Sequence, residues 1–286
     1  MKKIGVVVNT KRTRAKGILS EFRRISESHG FQLHADNMEM ARILDADYLP
    51  IDEFSKKIDV AIAMGGDGTM LYVVRHLRAS GIPIMGINLG SLGFLTSVGD
   101  SEIKKALDAI SNQKFKIVQR EMLSCQIYEN DKVLGQEYAL NDIVLGWGTS
   151  SHIVTLLLSV DGEPVGSFMC DGIIISTSTG STGHALSAGG PILHPGIKGI
   201  GINVICPHTL GSRPLVVPSS SLITIEIANA AKELILSVDG QDEYHIKKGG
   251  KIEIKRSTHP ANFLQLRDYS YFSVLSKKLH WRGSSI

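Results

Sequence analysis

The chain has 286 residues, of which 43% are hydrophobic and 21% are charged. This length predicts roughly two domains, and the composition is that of a folded globular protein, which excludes a disordered chain or a coiled coil. The formal net charge is +3, from 31 Lys and Arg against 28 Asp and Glu. Without a dense basic block, that balance suits a small anionic ligand and argues against a nucleic-acid partner.

The three cysteines, Cys125, Cys170 and Cys206, are widely spaced and form no C-x-x-C pair. This pattern excludes a disulfide framework and a thiolate zinc site, and it favours a reducing cytoplasm. The apolar run at residues 4–8 is too short for a signal peptide. The long uncharged runs are interrupted by Gly, Pro, Ser and Thr, so no membrane span is expected. We therefore expect a cytoplasmic protein.

The first part of the chain alternates between short apolar runs and helical periodicity. The runs at residues 4–9, 58–64 and 82–88 predict strands, and residues 15–30, 67–79 and 101–112 predict helices. Strand–helix–strand order is typical of a parallel sheet with helices on its faces. The sequence therefore predicts an α/β domain over residues 1–113.

From about residue 114 the pattern changes to short strand-like runs separated by turn residues. The predicted strands are 115–118, 122–128, 143–145, 153–160, 172–176, 200–205, 222–227, 234–238, 251–255 and 263–266. The frame Ser-Val-Asp-Gly occurs at 159–162 and 237–240, and Asp-Gly between extended segments predicts a hairpin. We expect a mainly β, sandwich-like domain over residues 114–267, and a tail, 268–286, that could pack back onto the first domain.

The most informative motif is Gly65-Gly66-Asp67-Gly68-Thr69, which lies between a predicted strand and a predicted helix. Its glycines let the backbone approach a ligand, and the helix N-terminus favours bound phosphate. A carboxylate beside phosphates makes sense if Asp67 holds Mg²⁺ or takes a proton from an attacking hydroxyl. The alternative is a plain turn in which Asp67 caps the helix. For this pattern after a parallel strand, we favour the functional interpretation.

Two further segments could bind a nucleotide. Residues 171–191 run from a predicted strand into an uncharged loop rich in Ser, Thr and Gly, which could bind ribose and phosphate oxygens; the alternative is a solvated loop. Asn141-Asp142 offers an amide for a base edge and a carboxylate for ribose hydroxyls, or is simply a turn dipeptide.

Several common motifs are missing from the sequence. It contains no G-x-x-x-x-G-K-[ST] and, after the first strand, no G-x-G-x-x-G, which weakens the P-loop and dehydrogenase interpretations. No H-x-x-x-H supports a structural metal, and no G-x-S-x-G elbow supports a serine hydrolase.

Taken together, the motifs resemble the NAD kinase family along most of the chain. The matching stretches are 65–69, 86–90, 92–95, 141–142, 171–191, 207–210, 213–218 and 238–241. Gly-Gly-Asp-Gly alone is shared with lipid kinases and phosphofructokinases, but the ordered set is highly specific. The resemblance implies an ATP-dependent enzyme that phosphorylates the 2′-hydroxyl of the adenosine ribose of NAD with a divalent metal, Mg²⁺ or Mn²⁺, held with the ATP. It also implies a homo-oligomer, commonly a tetramer, with each site completed by a neighbouring subunit.

The resemblance also assigns roles by position. Asp67 corresponds to the residue that accepts the ribose proton, and Gly68 to one that lies against the substrate. Asn141 and Asp142 correspond to the pair that holds adenosine, and Asp171 to a contact of the nicotinamide half. The remaining implied NAD contacts are His152, Thr182, Gly183, His184, Ser187 and Gln241. The loop expected to hold the ATP phosphates comprises Gly65, Gly66, Gly68 and Thr69.

Some positions depart from the family pattern. Ser178 replaces a common Pro, which leaves the loop less pre-set, Gly183 replaces Ala, and His184 replaces Tyr. Met169 stands where a basic residue is common, and some members carry Glu at the position of Asp142. These departures bear on how adenine and the product phosphate are held. The polyphosphate, NADH and metal preferences stay open.

Two other functions are compatible with parts of the sequence. A lipid kinase would share the glycine motif but would need a membrane-binding face, and no basic amphipathic helix provides one. A dinucleotide-binding regulator without activity would explain His184, but it would not need Asp67.

Overall fold

The structure, a computed structural model, describes residues 2–9, 15–90, 93–130, 132–147 and 153–281. The chain divides into two compact units, one formed by Met1–Gln119 with Ala261–Ile286 and the other by Arg120–Pro260. The sequence had suggested boundaries after residues 113 and 267. The strand Ala261–Leu266 instead joins the sheet of the first unit, where Phe263 pairs with Ile84. This pairing explains why the chain returns to the first unit at residue 261.

Strands and helices alternate in the first unit, whereas strands predominate in the second. Within the described residues the strands are β1 (Lys3–Val8), β2 (Gln32–Ala35), β3 (Asp47–Tyr48), β4 (Val60–Gly65), β5 (Ile84–Asn88), β6 (Val98–Gly99), β7 (Phe115–Arg120), β8 (Leu123–Glu129), β9 (Lys132–Ala139), β10 (Asp142–Trp147), β11 (Val154–Val160), β12 (Glu163–Cys170), β13 (Gly172–Thr177), β14 (Gly199–Ile205), β15 (Leu215–Pro218), β16 (Ile223–Asn229), β17 (Leu234–Val238), β18 (Asp242–Ile246), β19 (Lys251–Arg256) and β20 (Ala261–Leu266). The helices are α1 (Ala15–Ser28), α2 (Met38–Leu44), α3 (Ile51–Lys57), α4 (Asp67–Leu77), α5 (Ile103–Ser111), α6 (His184–Ser187) and α7 (Tyr271–Lys278), with 3-10 turns at Asp100–Glu102 and Gly180–Thr182.

The first unit is an α/β domain built on a mostly parallel sheet. The strand order is β3-β2-β1-β4-β5-β20-β7, with β6 paired to β5. The chain leaves β1 toward β2 on one side and later enters β4 and β5 on the other. In sheets of this kind, ligands bind at the carboxyl ends of the strands where the order reverses. The topology therefore predicts a site at the carboxyl ends of β1 and β4.

Helices of the first unit cover the sheet with periodic apolar side chains. In α1, Leu19, Phe22 and Ile25 are buried in the same core as Ile4 and Ile62 of the sheet. Spacings of three residues place these side chains on one face of the helix. The helix thus forms because its apolar face is buried against β-strands that are apolar on both sides.

The second unit is a sandwich of two antiparallel sheets. The strand orders are β15-β14-β13-β10-β17-β18 and β12-β11-β16-β19-β8-β9. Alternate residues of both sheets meet in one core, for example Ile173 and Ile175 of β13 with Leu156 and Leu158 of β11. Facing sheets with inward apolar alternation define a β-sandwich. The predicted fold class, α/β followed by mainly β, is confirmed.

Both predicted hairpins form at the Ser-Val-Asp-Gly frames. They join β11 to β12 and β17 to β18, and the Asp-Gly residues at both turns have positive φ, from 51° to 83°. Sequence analysis did not separately predict β2, β3, α2 and α3, which are short, or the edge strand β9, whose side chains are largely exposed. No helix among the described residues is long and apolar enough to cross a membrane.

Candidate active site

The glycine turn, residues 65–69, lies at the carboxyl end of β4, as the topology requires. Gly65 has no room for a side chain, since a Cβ there would fall 2.2 Å from Oγ1 of Thr69. Gly66 immediately precedes α4, and no side chain caps the helix N-terminus. Gly68 is exposed, whereas Thr69 is buried behind the turn. The turn therefore offers main chain to a ligand, with Thr69 shaping it from within.

Asp67 is the one charged residue of the glycine turn, and it does not cap α4. Its Oδ2 accepts the Phe94 N–H at 2.8 Å, and its Oδ1 accepts the Leu95 N–H at 3.0 Å. A Cβ on Gly93 would fall 1.9 Å from Oδ1, so this glycine is what lets the loop close on the carboxylate. Two of about four acceptor positions are used, which leaves a half-exposed, oriented carboxylate able to accept a proton.

A cavity of about 310 Å³ adjoins the glycine turn within the first unit. It is lined by the end of β1, by Asp36 after β2, and by Gly68, Thr69 and Tyr72 of α4. Burial raises the pKa of Asp36 above the ordinary aspartate value. The cavity lies where the strand order reverses, the position at which α/β sheets bind ligands.

In the second unit, Asn141 follows β9 and Asp142 is the first residue of β10. We call this point, where the chain passes from one strand to the next, the Asn141–Asp142 turn. Asp142 is 1% exposed, and its carboxylate lies 3.0 Å from Nδ1 of His184. This hydrogen bond raises the pKa of His184. The Asn141 Oδ1 atom is buried without a hydrogen-bond partner among the described residues. Since buried acceptors are rarely left unpaired, this amide is a candidate contact for a donor on a ligand.

Several hydroxyls of the Ser/Thr/Gly loop donate hydrogen bonds within the protein. The hydroxyls of Ser178, Ser181 and Thr182 donate to main-chain carbonyls at Ile197, Ser178 and Thr179, at 2.6, 2.8 and 3.2 Å. These groups therefore hold the loop itself. The hydrogen bond from Ser178 to the Ile197 carbonyl restrains the loop at the position where the family commonly carries Pro.

The structure brings some predicted contacts together and separates one. Gly183 and His184 lie against Asp142, since a Cβ on Gly183 would be 2.9 Å from Asp142 Oδ2. Thr182 is half-buried at the end of its 3-10 turn, Ser187 is exposed at the end of α6, and Gln241 lies in the turn between β17 and β18. Asp171 lies at the opposite end of β13 from the residue paired with Asp142. Five residues of strand place it roughly 17 Å away. His152 lies outside the described residues.

Asp239 is a residue whose part sequence reasoning missed. Its carboxylate accepts the main-chain N–H groups of Leu140, Asn141 and Asp142 at 2.7, 2.8 and 3.0 Å. Burial raises its pKa to about 6, partly offset by these hydrogen bonds. The sequence marked Asp239 as part of a hairpin turn and of the family-matching stretch 238–241, but it assigned no contact to this residue. Its partners are about a hundred residues away, so no local pattern could reveal them.

Cys206 is also adjacent to a candidate contact. It has a hydrogen bond with Asp171, which raises the pKa of the thiol. Cys206 is exposed, whereas Cys125 and Cys170 are buried, and all three are free thiols.

The described residues contain no group of three or more His, Cys, Asp or Glu side chains able to hold a metal ion. These residues alone therefore do not fit a metal held by protein ligands.

An α/β unit with a glycine turn and one oriented carboxylate, joined in sequence to a β-sandwich with a buried amide, has the features of a nucleotide-dependent phosphotransferase. Sequence models of the ATP-NAD kinase N-terminal and C-terminal domains match residues 4–115 and 140–266. The chain belongs to the NAD kinase family.

Relatives and solved structures agree with this assignment. The NAD kinase of Geotalea daltonii is 36% identical over 282 residues, covering 98% of this chain and 99% of that protein. The NAD kinase of Carboxydothermus hydrogenoformans is 39% identical over 229 residues, covering 80% and 82%. The crystal structure of yeast NADH kinase complexed with NADH has a TM-score of 0.92 at 25% identity, covering 100% of this chain and 89% of that chain. An Archaeoglobus fulgidus NAD kinase in complex with ATP has a TM-score of 0.78 at 27% identity, covering 98% and 100%.

Proposed function

We propose that this enzyme transfers the γ-phosphoryl group of ATP to the 2′-hydroxyl of the adenosine ribose of NAD, forming NADP and ADP. The observation that carries the proposal is the half-exposed Asp67 carboxylate, held by two main-chain N–H groups on a glycine turn. Phosphoryl transfer depends mainly on positioning and electrostatics, and a fixed carboxylate on such a turn meets that requirement.

Asp67 acts as the proton acceptor in this proposal. The 2′-hydroxyl proton passes to the carboxylate as the ribose oxygen forms a bond to the γ-phosphorus, and the bond from that phosphorus to the β-phosphate oxygen breaks. The N–H groups of Phe94 and Leu95 orient the carboxylate, so little reorganisation is needed at the moment of transfer. General base catalysis of this kind contributes about 10²- to 10⁴-fold to the rate.

The remaining candidate residues divide between the two substrates. Gly65, Gly66 and Gly68 present the main chain of the turn to the ATP phosphates, and the adjoining cavity would take part of the donor. The Asn141 amide, with its unpaired Oδ1, binds the adenine edge, and the Asp142–His184 pair shapes the adenosine pocket. Thr182, Gly183, Ser187 and Gln241 complete this set of contacts.

The metal and the assembly are also proposed. A divalent ion, Mg²⁺ or Mn²⁺, would enter with the ATP phosphates and supply positive charge to them, because the described residues form no protein cluster for it.

A homo-oligomer, commonly a tetramer in this family, would let a second copy supply Asp171 and His152. Exposed apolar residues on the second unit, including Leu157, Val165 and Met169, support an assembly. The free thiols support a cytoplasmic location.

The test is to incubate the purified protein with NAD, ATP and Mg²⁺ and to measure NADP. We expect NADP in the wild type and a loss of about 10²- to 10⁴-fold in kcat for Asp67→Asn, with the fold and much of the NAD affinity retained. Asp59→Asn is a matched control. The Asp59 carboxylate also accepts a main-chain N–H, that of Lys3 at 2.8 Å. Asp59 precedes the first residue of β4, however, whereas Asp67 follows its last. Near-wild-type turnover in Asp67→Asn would refute the proton-acceptor role. NAD binding without NADP formation would indicate a regulator, and phosphorylation of diacylglycerol instead of NAD would indicate a lipid kinase.

A further inference from the structure

Three consecutive main-chain N–H groups converge on one carboxylate in the second unit. They belong to Leu140, Asn141 and Asp142, and the carboxylate is that of Asp239, at 2.7, 2.8 and 3.0 Å. In return, the Asp239 N–H donates to the Asp142 carbonyl at 2.9 Å. Successive N–H groups that point to one place form an anion-binding concavity. Here the protein fills that concavity with its own carboxylate.

The held segment is the one that carries the proposed NAD contacts. Asn141 is further fixed by its carbonyl, which accepts the Thr177 N–H at 2.9 Å, and the Thr177 hydroxyl donates to the Leu140 carbonyl at 2.6 Å. The main chain of the turn is thus bound on both sides, while Oδ1 of Asn141 stays unpaired. Fixing the main chain in this way orients the amide before any ligand arrives.

The chain contains a natural comparison for this arrangement. Asp161 lies in an identical Ser-Val-Asp-Gly frame, with a φ of 52° against 51° at Asp239. Its N–H also donates to a remote carbonyl, that of Leu222, and its Oδ1 accepts the Leu222 N–H at 2.7 Å. Asp161 is exposed, however, and Leu222 is not a candidate site residue. The hairpin frame alone therefore does not account for the three-fold contact of Asp239.

We propose that Asp239 is a positioning residue for the NAD kinase reaction, whose carboxylate holds the Asn141–Asp142 turn in the conformation that binds the adenosine half of NAD. This inference rests on the proposed function and deepens it. Asp239 acts through the turn and does not contact the reacting atoms. Hydrogen bonds from neutral donors to a charged acceptor are stronger than those between neutral groups, so the negative charge of Asp239 matters as well as its shape.

The test compares Asp239→Asn with Asp161→Asn. Asparagine keeps the size of the side chain but removes the charge and replaces one acceptor with an NH₂ group that cannot accept an N–H. For Asp239→Asn we expect the KM for NAD, and its dissociation constant by calorimetry, to rise at least tenfold, with the KM for ATP within twofold of wild type. Asp161→Asn should leave both constants within twofold.

A second pair of variants covers a failure of Asp239→Asn to fold. Glycine accepts positive φ readily, so Asp239→Gly removes the carboxylate while keeping the turn, and Asp161→Gly is its control. A rise in the KM for NAD that is absent for ATP supports the proposal, because general loosening of the fold would raise both. NAD affinity within twofold of wild type in a folded Asp239 variant, or equal rises for NAD and ATP, overturns it. If the wild type itself forms no NADP, the proposed function fails regardless of Asp239.

Discussion

The glycine turn of the first unit and the Asn141–Asp142 turn of the second are both held by a carboxylate that accepts main-chain N–H groups. In the first unit the carboxylate is Asp67, which lies on the turn and binds the N–H groups of Phe94 and Leu95. In the second unit it is Asp239, which lies on a neighbouring hairpin. The proposed chemistry and the support thus coincide in one residue in the first unit and belong to separate residues in the second. Only in the second unit, therefore, can a substitution remove the supporting carboxylate while it leaves the proposed ligand contacts in the chain.

Each turn also depends on a glycine that has no room for a side chain. A Cβ on Gly93 would fall 1.9 Å from Oδ1 of Asp67, and a Cβ on Gly180 would fall 1.9 Å from the main-chain oxygen of Asn141. The obstructing group is a side chain in the first case and backbone in the second. A side chain can rotate away, whereas backbone must shift with its strand. We therefore expect damage to activity in the first unit and damage to stability in the second.

Among substitutions at these two glycines, the larger effect is expected from Gly93→Ala. The added methyl group would displace the Asp67 carboxylate from Phe94 and Leu95, and misplacing a catalytic group by about 1 Å costs about a hundredfold in rate. We expect kcat to fall by about that factor, with little change in melting temperature. Gly17→Ala is the control, because Gly17 is an exposed helical position with nothing within 4 Å of its Cβ. Unchanged kcat in Gly93→Ala would show that the close fit around Asp67 does not matter for catalysis.

Gly180→Ala should test the second unit in the opposite way. Its methyl group would lie within 2.5 Å of three main-chain atoms of Asn141, namely the carbonyl oxygen, the carbonyl carbon and Cα. The turn must therefore move. We expect a loss of about 2 kcal/mol in the free energy of unfolding, which is in the range for overpacked sites, and a KM for NAD raised about tenfold. Denaturant unfolding and steady-state kinetics measure both. Gly211→Ala, where a Cβ meets nothing within 4 Å, should change neither, and wild-type stability in Gly180→Ala would contradict the expectation.

The comparison also shows where sequence reasoning succeeds. The strand β4, the glycine turn and helix α4 were predictable because an apolar run, three glycines and a periodic helix adjoin one another in sequence. The same holds for the two Asp-Gly hairpins, whose positive φ values are what that dipeptide favours. The α/β and sandwich architecture followed from the order of such elements.

What was not predictable depends on contacts between distant segments. The hydrogen bond between the Asp239 carboxylate and the Asn141 N–H joins residues 98 positions apart. The hydrogen bonds of Asp67 with the N–H groups of Phe94 and Leu95 span 27 and 28 positions. The inward-turned hydroxyls of Ser178 and Ser181 could equally have faced a ligand. Composition describes which groups a loop offers, and only the folded backbone decides which of them are already used.

The smallest expected effect concerns His184, which stands beside Asp142 in place of the common Tyr. The hydrogen bond with Asp142 raises the pKa of His184, so its positive charge persists above the usual range and is lost as pH rises through the raised pKa. Since NAD carries a diphosphate, loss of this charge should weaken binding. We expect the KM for NAD to rise about threefold between pH 6.5 and 8.5, a modest effect because the imidazole is 63% exposed and solvent screens it.

His184→Tyr should abolish that pH dependence, because tyrosine stays neutral over this range. His245→Tyr is a matched control: the side chain of His245 is also 63% exposed and lies 3.8 Å from a carboxylate, that of Glu233, but it is not a candidate contact. Steady-state kinetics at several pH values distinguish the two variants. A pH dependence that survives in His184→Tyr would place the titrating group elsewhere. If both variants lose the pH dependence, the cause is a general effect of surface charge. If only His184→Tyr loses it, the pH dependence is assigned to the Asp142–His184 pair, which the Asn141–Asp142 turn positions.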